Sequence, residues 1–201
     1  DHDLSTSLVS VIKEQASDAD AIVFEDYDKG VITKNLIKEV VSIARDKDIP
    51  ILVDPKKNHF LDYSDIDLFK PNLRELKEGL KTETDLQVQE NIEAAVSELH
   101  KRLGVKSILV TMSEKGMVYS ERDGEAGFVP AHIRNIADVS GAGDTVISIA
   151  ALCLASRVPL PFTAALCNLA GGLVCEQPGV VPVSREKLLK EAIKHLKHVP
   201  A

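Results

Sequence analysis

Apolar and polar residues follow two different spacings along this chain. Short, nearly continuous apolar runs that stop at a charged residue or a proline predict buried β-strands, and they occupy 19–24, 49–54, 67–69 and 106–111. Longer segments with apolar residues every three or four positions predict helices. One follows Thr33, whose hydroxyl suits a helix N-cap. The others occupy 72–80, 85–103, 142–156, 160–176 and 185–197.

Two further segments, 116–120 and 127–130, have the length and the intervening turn of a hairpin pair. Strands that alternate with helices through short connections are typical of a parallel sheet with helices on both faces. The sequence therefore predicts an α/β fold, with residues 1–201 in a single domain.

Polar side chains follow the predicted strands at the point where each strand ends. In open α/β sheets, ligands bind in the crevice at the carboxyl ends of the strands. One such residue alone is better explained as a loop or capping residue, but four consecutive strands with this feature favour one shared site. The residues are Asp26, then Asp54 and Lys56, then Asn72 and Glu75, then Thr111 and Ser113.

Composition narrows the class of protein. Hydrophobic residues make up 44% of the 201 residues and charged residues 27%, as in an ordinary globular domain. The net charge of −7 argues against a nucleic-acid partner, because such partners require basic patches. The longest apolar segment, 145–155, is too short to cross a bilayer, and the N-terminus lacks the features of a signal peptide. We therefore expect a cytoplasmic protein without a membrane partner, and the missing initiator Met suggests a fragment or a processed product.

The cysteines and histidines show no metal-ligand spacing. Cys153, Cys167 and Cys175 lie in apolar helical segments, which predicts small core residues in a reducing compartment. The histidines are expected at the surface, and they occupy positions 2, 59, 100, 132, 195 and 198.

The most specific motif is Asp138-Val-Ser-Gly-Ala-Gly-Asp144, which runs into an apolar helical segment. A loop of glycine and alanine lets backbone N–H groups approach an anion, and the positive end of the following helix faces the same point. A carboxylate beside a phosphate is electrostatically unfavourable. Its presence therefore indicates a chemical role for Asp144, such as removing a proton from a nucleophile. No Lys-Ser/Thr follows the glycines, and Val146 stands where a dinucleotide fingerprint has its third glycine. The motif therefore favours phosphoryl transfer over a Walker A or dinucleotide site.

These residues resemble the C-terminal signature of the ribokinase (PfkB) family of carbohydrate kinases. Three other motifs occur in the family's order: Asp54-Pro-Lys56, Lys70-Pro-Asn-Leu-Arg-Glu75 and Val110-Thr-Met-Ser-Glu-Lys-Gly-Met117. Together with Glu25-Asp-Tyr-Asp-Lys-Gly30, they are most similar to the D-glycero-β-D-manno-heptose 7-phosphate kinases, which supply precursors of bacterial lipopolysaccharide. The resemblance covers about residues 18–190 and implies a three-layer α/β/α sandwich with a mostly parallel sheet.

The resemblance also implies roles for the site residues. Asp144 would be the general base on the sugar hydroxyl, and the N–H groups of Gly141, Ala142 and Gly143 would stabilise the transferred phosphoryl group. Asn72 and Glu75 would hold Mg²⁺ and the phosphates of ATP through water, or form a capping box instead. Lys56 would balance phosphate charge, or lie free in a loop.

The remaining implied roles concern the nucleotide, a monovalent cation and the sugar. Asp138 and Ser140 would support a K⁺ site, and Asp26 and Lys29 would border the sugar phosphate. Gly171 and Gly172 indicate a close approach within a helix, either by the preceding helix or by adenine. The residues expected around the adenine nucleotide are Thr111, Ser113, Gly116, Asn168, Gly172 and Gly179.

One departure from the family pattern affects the expected activity. The Gly-Gly-Asn sugar-binding segment and the β-sheet lid that begin family members are missing here, so we expect nucleotide binding to survive better than sugar phosphorylation. Family members often dimerise through this lid, so a homodimer stays open. The sequence predicts an ATP- and Mg²⁺-dependent kinase for the anomeric hydroxyl of heptose 7-phosphate. Another sugar or nucleoside kinase of the family, and a non-catalytic nucleotide-binding module, are the alternatives.

Overall fold

The computed structural model of the protein describes residues 2–132 and 134–199, with side chains described from Thr6 onward. Seven helices and six strands are present in this part of the chain. The helices are α1 (His2–Gln15), α2 (Lys34–Asp46), α3 (Leu73–Leu80), α4 (Gln89–Leu103), α5 (Ala142–Ala155), α6 (Leu160–Val174) and α7 (Arg185–His195). The strands are β1 (Ile22–Glu25), β2 (Ile51–Asp54), β3 (Leu68–Phe69), β4 (Ser107–Thr111), β5 (Met117–Glu121) and β6 (Gly127–Val129).

The strands form one sheet whose spatial order follows the chain, from β1 to β6. The first four strands run parallel, whereas β5 and β6 are antiparallel and form the predicted hairpin. Parallel strands align their carboxyl ends at one edge of the sheet, so the polar residues that follow β1 to β4 lie along that edge.

Helices cover both faces of this sheet, because strand side chains alternate between its two sides. Ile51 and Val53 of β2 pack with α2, α3 and α4. Leu52, between them, packs with Leu68 and Leu109 against α5, α6 and α7. This arrangement is a three-layer α/β/α sandwich with a mostly parallel sheet, as the sequence predicted.

Local sequence explains where several elements begin. Thr33 caps α2, accepting a hydrogen bond from the backbone N–H of Leu36 at 3.2 Å.

Cys153, Cys167 and Cys175 are buried and free, as expected of core residues. No described helix has the length and hydropathy needed to span a bilayer.

The expectation that all the histidines lie at the surface is wrong for His100, which is 7% exposed. Its Nδ1 lies 3.1 Å from the carbonyl oxygen of Val105, and its Nε2 lies 3.2 Å from Oγ of Ser120. Both ring nitrogens have partners, so the ring is accommodated in the core. Burial lowers the pKa of His100, which favours the neutral ring.

Candidate active site

The glycine loop begins helix α5 with a left-handed residue. Gly141 has φ +76° and precedes the first helical residue. A Cβ at this position would lie 2.9 Å from Cγ1 of Val180, in the loop that follows α6. The turn therefore favours glycine for its backbone angle, and the exposed Val180 side chain would have to move to admit a Cβ.

The start of α5 presents backbone donors to the edge of the sheet. The N–H of Ala142 donates to the carbonyl of Val139 at 3.3 Å. The N–H groups of Gly143 and Asp144 have no acceptor within residues 2–132 and 134–199. Free N–H groups and the positive end of the helix dipole make this helix start suitable for an anion. Of the three predicted N–H donors, that of Ala142 is therefore already bonded within the loop. The N–H of Asp144, which was not predicted, is an additional free donor.

Asp138 ties the two loops beside this helix start together. Its Oδ1 accepts from the N–H of Ser140 at 2.9 Å, and its Oδ2 accepts from the N–H of Gly179 at 3.0 Å. Hydrogen bonds from Ser140 and then from the Gly179 backbone lower the pKa of Asp138. Three predicted site residues are therefore in direct contact, and Asp138 holds the glycine loop against the loop after α6.

Replacing Gly141 with alanine tests the requirement for this turn. We expect Gly141→Ala to lower the free energy of unfolding by about 1–2 kcal/mol, because an alanine there adopts a left-handed conformation. It should also weaken ATP binding about tenfold, since the new methyl group displaces Val180 and the loop. Urea unfolding and calorimetric titration with MgATP measure the two effects.

Gly30→Ala is the matched control, because Gly30 has φ +83° and no atom lies within 4 Å of the position that the new methyl group would take. It carries the same backbone strain without touching the loop beside α5. Equal ATP affinity in the two variants would contradict the importance of the close approach.

Three carboxylates converge at the carboxyl ends of β1 and β2. Glu25, Asp54 and Asp144 each place an oxygen so that all three oxygens lie within 4.8 Å of one another. Burial, followed by the negative charges of Asp54 and Asp144, raises the pKa of Glu25 to about 7, although Lys70 opposes the shift. Glu25 is therefore partly protonated at neutral pH.

Two lysines balance part of this charge. Lys70 follows β3, is 2% exposed, and places its Nζ 2.9 Å from Oδ2 of Asp54. Lys56 Nζ lies 2.5 Å from Oε1 of Glu75 and 3.8 Å from Oδ1 of Asp54. Burial lowers the pKa of Lys56, but the hydrogen bond to Glu75 and the charges of the neighbouring carboxylates outweigh it, so the pKa is raised overall. Gly143 of α5 lies over the Lys70–Asp54 pair. A Cβ added at Gly143 would lie 3.7 Å from Oδ2 of Asp54 and 3.7 Å from Nζ of Lys70.

The titration of Glu25 predicts a loss of stability with rising pH. A native pKa near 7, above the ordinary value of 4.5, means that the folded protein binds the proton that the unfolded chain has released. Stability from this group is full below pH 4.5 and is lost as the pH rises through 7. Glu25→Gln should remove this loss, so the variant gains stability over the wild type between pH 5 and 8.

Thermal unfolding at pH 5 and pH 8 measures this difference. Glu39→Gln removes an exposed carboxylate from α2 and should follow the wild type at both pH values. Parallel curves for wild type and Glu25→Gln would contradict the raised pKa.

Asn72 and Glu75 form the capping box of helix α3. The Asn72 side chain accepts from the N–H of Glu75 at 2.8 Å, and Glu75 Oε2 accepts from the N–H of Asn72 at 2.9 Å. The other oxygen of Glu75 faces Lys56. The capping box is therefore present, and the Glu75 carboxylate also takes part in the charged cluster. Lys56 is paired with it rather than free in a loop.

Two of the residues expected around adenine, Gly116 and Asn168, contact the segment at the end of β6. Gly116 has φ +94°, and a Cβ there would overlap the backbone of Val129 and Pro130. Asn168 of α6 donates from Nδ2 to the carbonyl oxygen of Pro130 at 2.9 Å. Thr111 ends β4 and donates its N–H to the carbonyl of Pro71, next to the capping box. Ser113 begins the short 3₁₀ turn that leads from β4 to Gly116.

The glycine pair of α6 has two different neighbours. A Cβ on Gly171 would lie 3.0 Å from Cγ2 of Val146, so the preceding helix makes this close approach. A Cβ on Gly172 would lie 3.1 Å from the Arg134 side chain. Arg134 is ion-paired with Glu176 at 2.6 Å, which fixes it over the helix.

The loop after β1 borders an open cavity. Asp26 and Lys29 both line that cavity, but Asp26 is only 2% exposed, whereas Lys29 is exposed. Tyr27, between them, is 56% exposed, and its hydroxyl lies 3.4 Å from each carboxylate oxygen of Asp144. The charge of Asp144 raises the pKa of Tyr27, which keeps the phenol protonated and able to donate.

Sequence reasoning did not single out Glu25, Tyr27 or Lys70 for the site. Glu25 and Lys70 each end an apolar run, which is the signal that selected Asp54, so the same rule would have included them. Tyr27 carries no signal in the sequence, because only the fold brings it to Asp144.

Comparisons with a family model and with known proteins show what this chain is similar to. The family model described as "pfkB family carbohydrate kinase" matches residues 2–187. "Bifunctional protein HldE" of Gluconacetobacter diazotrophicus is 37% identical over 191 residues, which are 94% of this chain and 39% of that protein. The chain thus spans about two fifths of the length of this relative.

Two solved structures show the same fold. Escherichia coli phosphofructokinase-2 in complex with potassium aligns with a TM-score of 0.78 at 19% identity, covering 90% of this chain and 60% of that chain. Arabidopsis thaliana ribokinase complexed with ribose and ATP aligns with a TM-score of 0.74 at 21% identity, covering 92% and 58%. The ribokinase-like fold and the family resemblance drawn from the sequence motifs are confirmed.

Proposed function

We propose that this chain, which belongs to the pfkB family of carbohydrate kinases, transfers the γ-phosphoryl group of ATP to a hydroxyl group of a sugar. The observation that carries the proposal is the start of helix α5. There the open N–H groups of Gly143 and Asp144 lie beside the exposed carboxylate of Asp144. An anion site and a proton acceptor within one helical turn are the two parts that phosphoryl transfer requires.

In the proposed reaction, Asp144 accepts the proton of the sugar hydroxyl as its oxygen attacks the γ-phosphorus of ATP. The bond from phosphorus to the oxygen that bridges the β- and γ-phosphates breaks, and that oxygen leaves with ADP. The Gly143 N–H and the positive end of α5 stabilise the charge on the transferred group. Catalysis is thus largely a matter of position and electrostatics.

The residues present fit the requirements of Mg²⁺ and ATP phosphates. Oδ1 of Asp54 is buried and lacks a hydrogen-bond donor among the described residues, which leaves an oxygen for a cation or its water. Asn72 and Glu75 would hold Mg²⁺ through water, and Lys56 beside Glu75 would balance phosphate charge. When bound, the metal would neutralise charge on the phosphate oxygens.

The preferred acceptor in this proposal is a heptose 7-phosphate, phosphorylated at its anomeric hydroxyl on the route to ADP-heptose and lipopolysaccharide. Support comes from the resemblance of the Glu25–Gly30 and Ser113–Met117 motifs to heptose 7-phosphate kinases. The relative named HldE shares 37% identity with the chain.

Other assignments belong to the same proposal. Thr111, Ser113, Gly116, Asn168, Gly172 and Gly179 would enclose the adenine nucleotide, and Asp138 and Ser140 would support K⁺. The potassium held by the E. coli relative supports the cation. We also propose that residues 1–201 are one domain and that the protein acts in the cytoplasm, and a homodimer stays open.

Calorimetric titration with ATP and Mg²⁺, followed by D-glycero-D-manno-heptose 7-phosphate, tests the function. Binding of both with phosphate transfer supports the kinase and its sugar. Transfer to other sugars or nucleosides alone supports a different acceptor. Nucleotide binding without transfer to any acceptor favours a nucleotide-binding module, and no nucleotide binding contradicts the phosphate site at α5.

A further inference from the structure

The loop after β1 is built around one buried carboxylate. Oδ1 of Asp26 accepts from the N–H of Asp28 at 2.8 Å, and its Oδ2 accepts from the hydroxyl of Tyr63 at 2.9 Å. The backbone N–H of Asp26 donates to the carbonyl of Asp54 at the end of β2. A side chain that bonds the backbone two residues ahead fixes a tight turn. The residue between the two ends of this turn, Tyr27, is therefore held in one direction.

That direction is outward, over the proposed base. The Tyr27 side chain is 56% exposed, yet its hydroxyl reaches both oxygens of Asp144 at 3.4 Å. Hydroxyl hydrogen bonds are ordinarily about 2.7–2.8 Å long, so this contact is weak. A sugar hydroxyl that approaches Asp144 at the ordinary distance can displace it at little cost.

The surroundings of the ring suit a sugar phosphate. Tyr27 lines an open cavity of about 700 Å³ together with Glu25, Asp26, Lys29 and Val31, and the other lining residues are all apolar. Val31 is 66% exposed and Lys29 is also exposed, so an apolar side chain and a cation line the same cavity as the ring. A rigid aromatic ring offers a large contact area to an apolar C–H face at low entropic cost.

We propose that Tyr27 is a positioning residue for the acceptor: its ring packs against the C–H face of a cyclic sugar, and its hydroxyl holds Asp144 until the sugar hydroxyl replaces it. This inference rests on the proposed function. The proton of the sugar hydroxyl still passes to Asp144, because the phenol is already protonated. Because the Tyr27 ring packs against a C–H face, the phosphoryl acceptor in this proposal is a sugar in its ring form with an apolar face.

Steady-state kinetics of two variants separate the ring from the hydroxyl. Tyr27→Leu should raise the KM for the sugar phosphate tenfold or more and leave the KM for ATP within twofold. Tyr27→Phe retains the ring and loses only the weak contact, so its KM for sugar should stay within threefold of the wild type. Tyr119→Phe, a half-buried tyrosine on β5 away from Asp144, is the matched control. A Tyr27→Leu variant with unchanged KM for sugar, or with both KM values raised equally, would overturn the proposal.

A second measurement does not depend on turnover. The chain contains no tryptophan, so Tyr27→Trp introduces a single fluorescent reporter at this position. Titration with the sugar phosphate should give a saturable change in emission that MgATP alone does not give. A folded variant that binds MgATP in calorimetry but shows no response to the sugar overturns the inference. A response to the sugar without phosphate transfer supports Tyr27 and contradicts the kinase activity instead.

Discussion

Asp144→Asn is expected to lower kcat by about 10²–10⁴-fold while leaving the affinity for ATP within about threefold. The amide has the shape of the carboxylate but cannot accept the proton of the sugar hydroxyl. Its backbone N–H still faces the anion site, since that group belongs to the main chain of α5. A neutral side chain also repels the phosphates less, so ATP binding should not weaken. Steady-state kinetics and calorimetric titration with MgATP give the two quantities.

Asp123→Asn is the matched control, because Asp123 is an exposed carboxylate in the turn after β5. It should behave as the wild type in both measurements. The helix dipole stabilises a negative side chain in the first turn by about 0.3–1 kcal/mol, but Asp144→Asn also removes the repulsion between Asp144 and Glu25, so the two effects on stability oppose each other. Full activity in this variant would exclude Asp144 as the base.

Lys70→Met should lower the free energy of unfolding by about 3–5 kcal/mol, more than any other variant proposed for this chain. The substitution leaves Asp54 without the ammonium group 2.9 Å from its Oδ2, in a position where its side chain is only 5% exposed. A buried carboxylate that loses its direct cation is costly, and Lys56 offers only a longer contact of 3.8 Å because it is also paired with Glu75. Urea unfolding at neutral pH measures the loss.

An exposed ion pair provides the comparison for this prediction. Lys34 pairs with Asp62 at 2.9 Å, but its side chain is 71% exposed, so Lys34→Met should cost no more than about 1 kcal/mol. The double variant Lys70→Met, Asp54→Leu should recover part of the stability, because it removes both buried charges. Equal losses for Lys34→Met and Lys70→Met would show that burial does not govern the Lys70 pair.

Much of the fold was predictable because local and long-range signals agree. The apolar runs that predicted strands all form strands, and Thr33 starts α2 as expected. Helix α4 is the clearest shift, since it begins at Gln89 instead of residue 85. Asp85 Oδ1 accepts from the N–H of Gln87 at 3.0 Å, and this local turn delays the helix.

The candidate site was predictable only where a motif carries its own geometry. The loop before Asp144 and the capping box of α3 depend on residues close in sequence, and both are present. Lys70, Glu25 and Tyr27 depend on strands and loops that meet only in three dimensions. His100 shows the same limit, because its partner Ser120 lies twenty residues away on β5.

The sequential order of the sheet has a consequence for the growing chain on the ribosome. Each strand from β2 to β6 pairs with the strand that precedes it in the chain, so the described sheet and its α2–α4 face can assemble once residues up to 129 emerge. The opposite face, with Leu52, Leu68 and Leu109, waits for α5 and α6. Until those helices form, this face of the sheet exposes apolar side chains, and such exposed surface promotes aggregation or chaperone binding. A nascent chain halted between β6 and α5 would be the species most dependent on such protection.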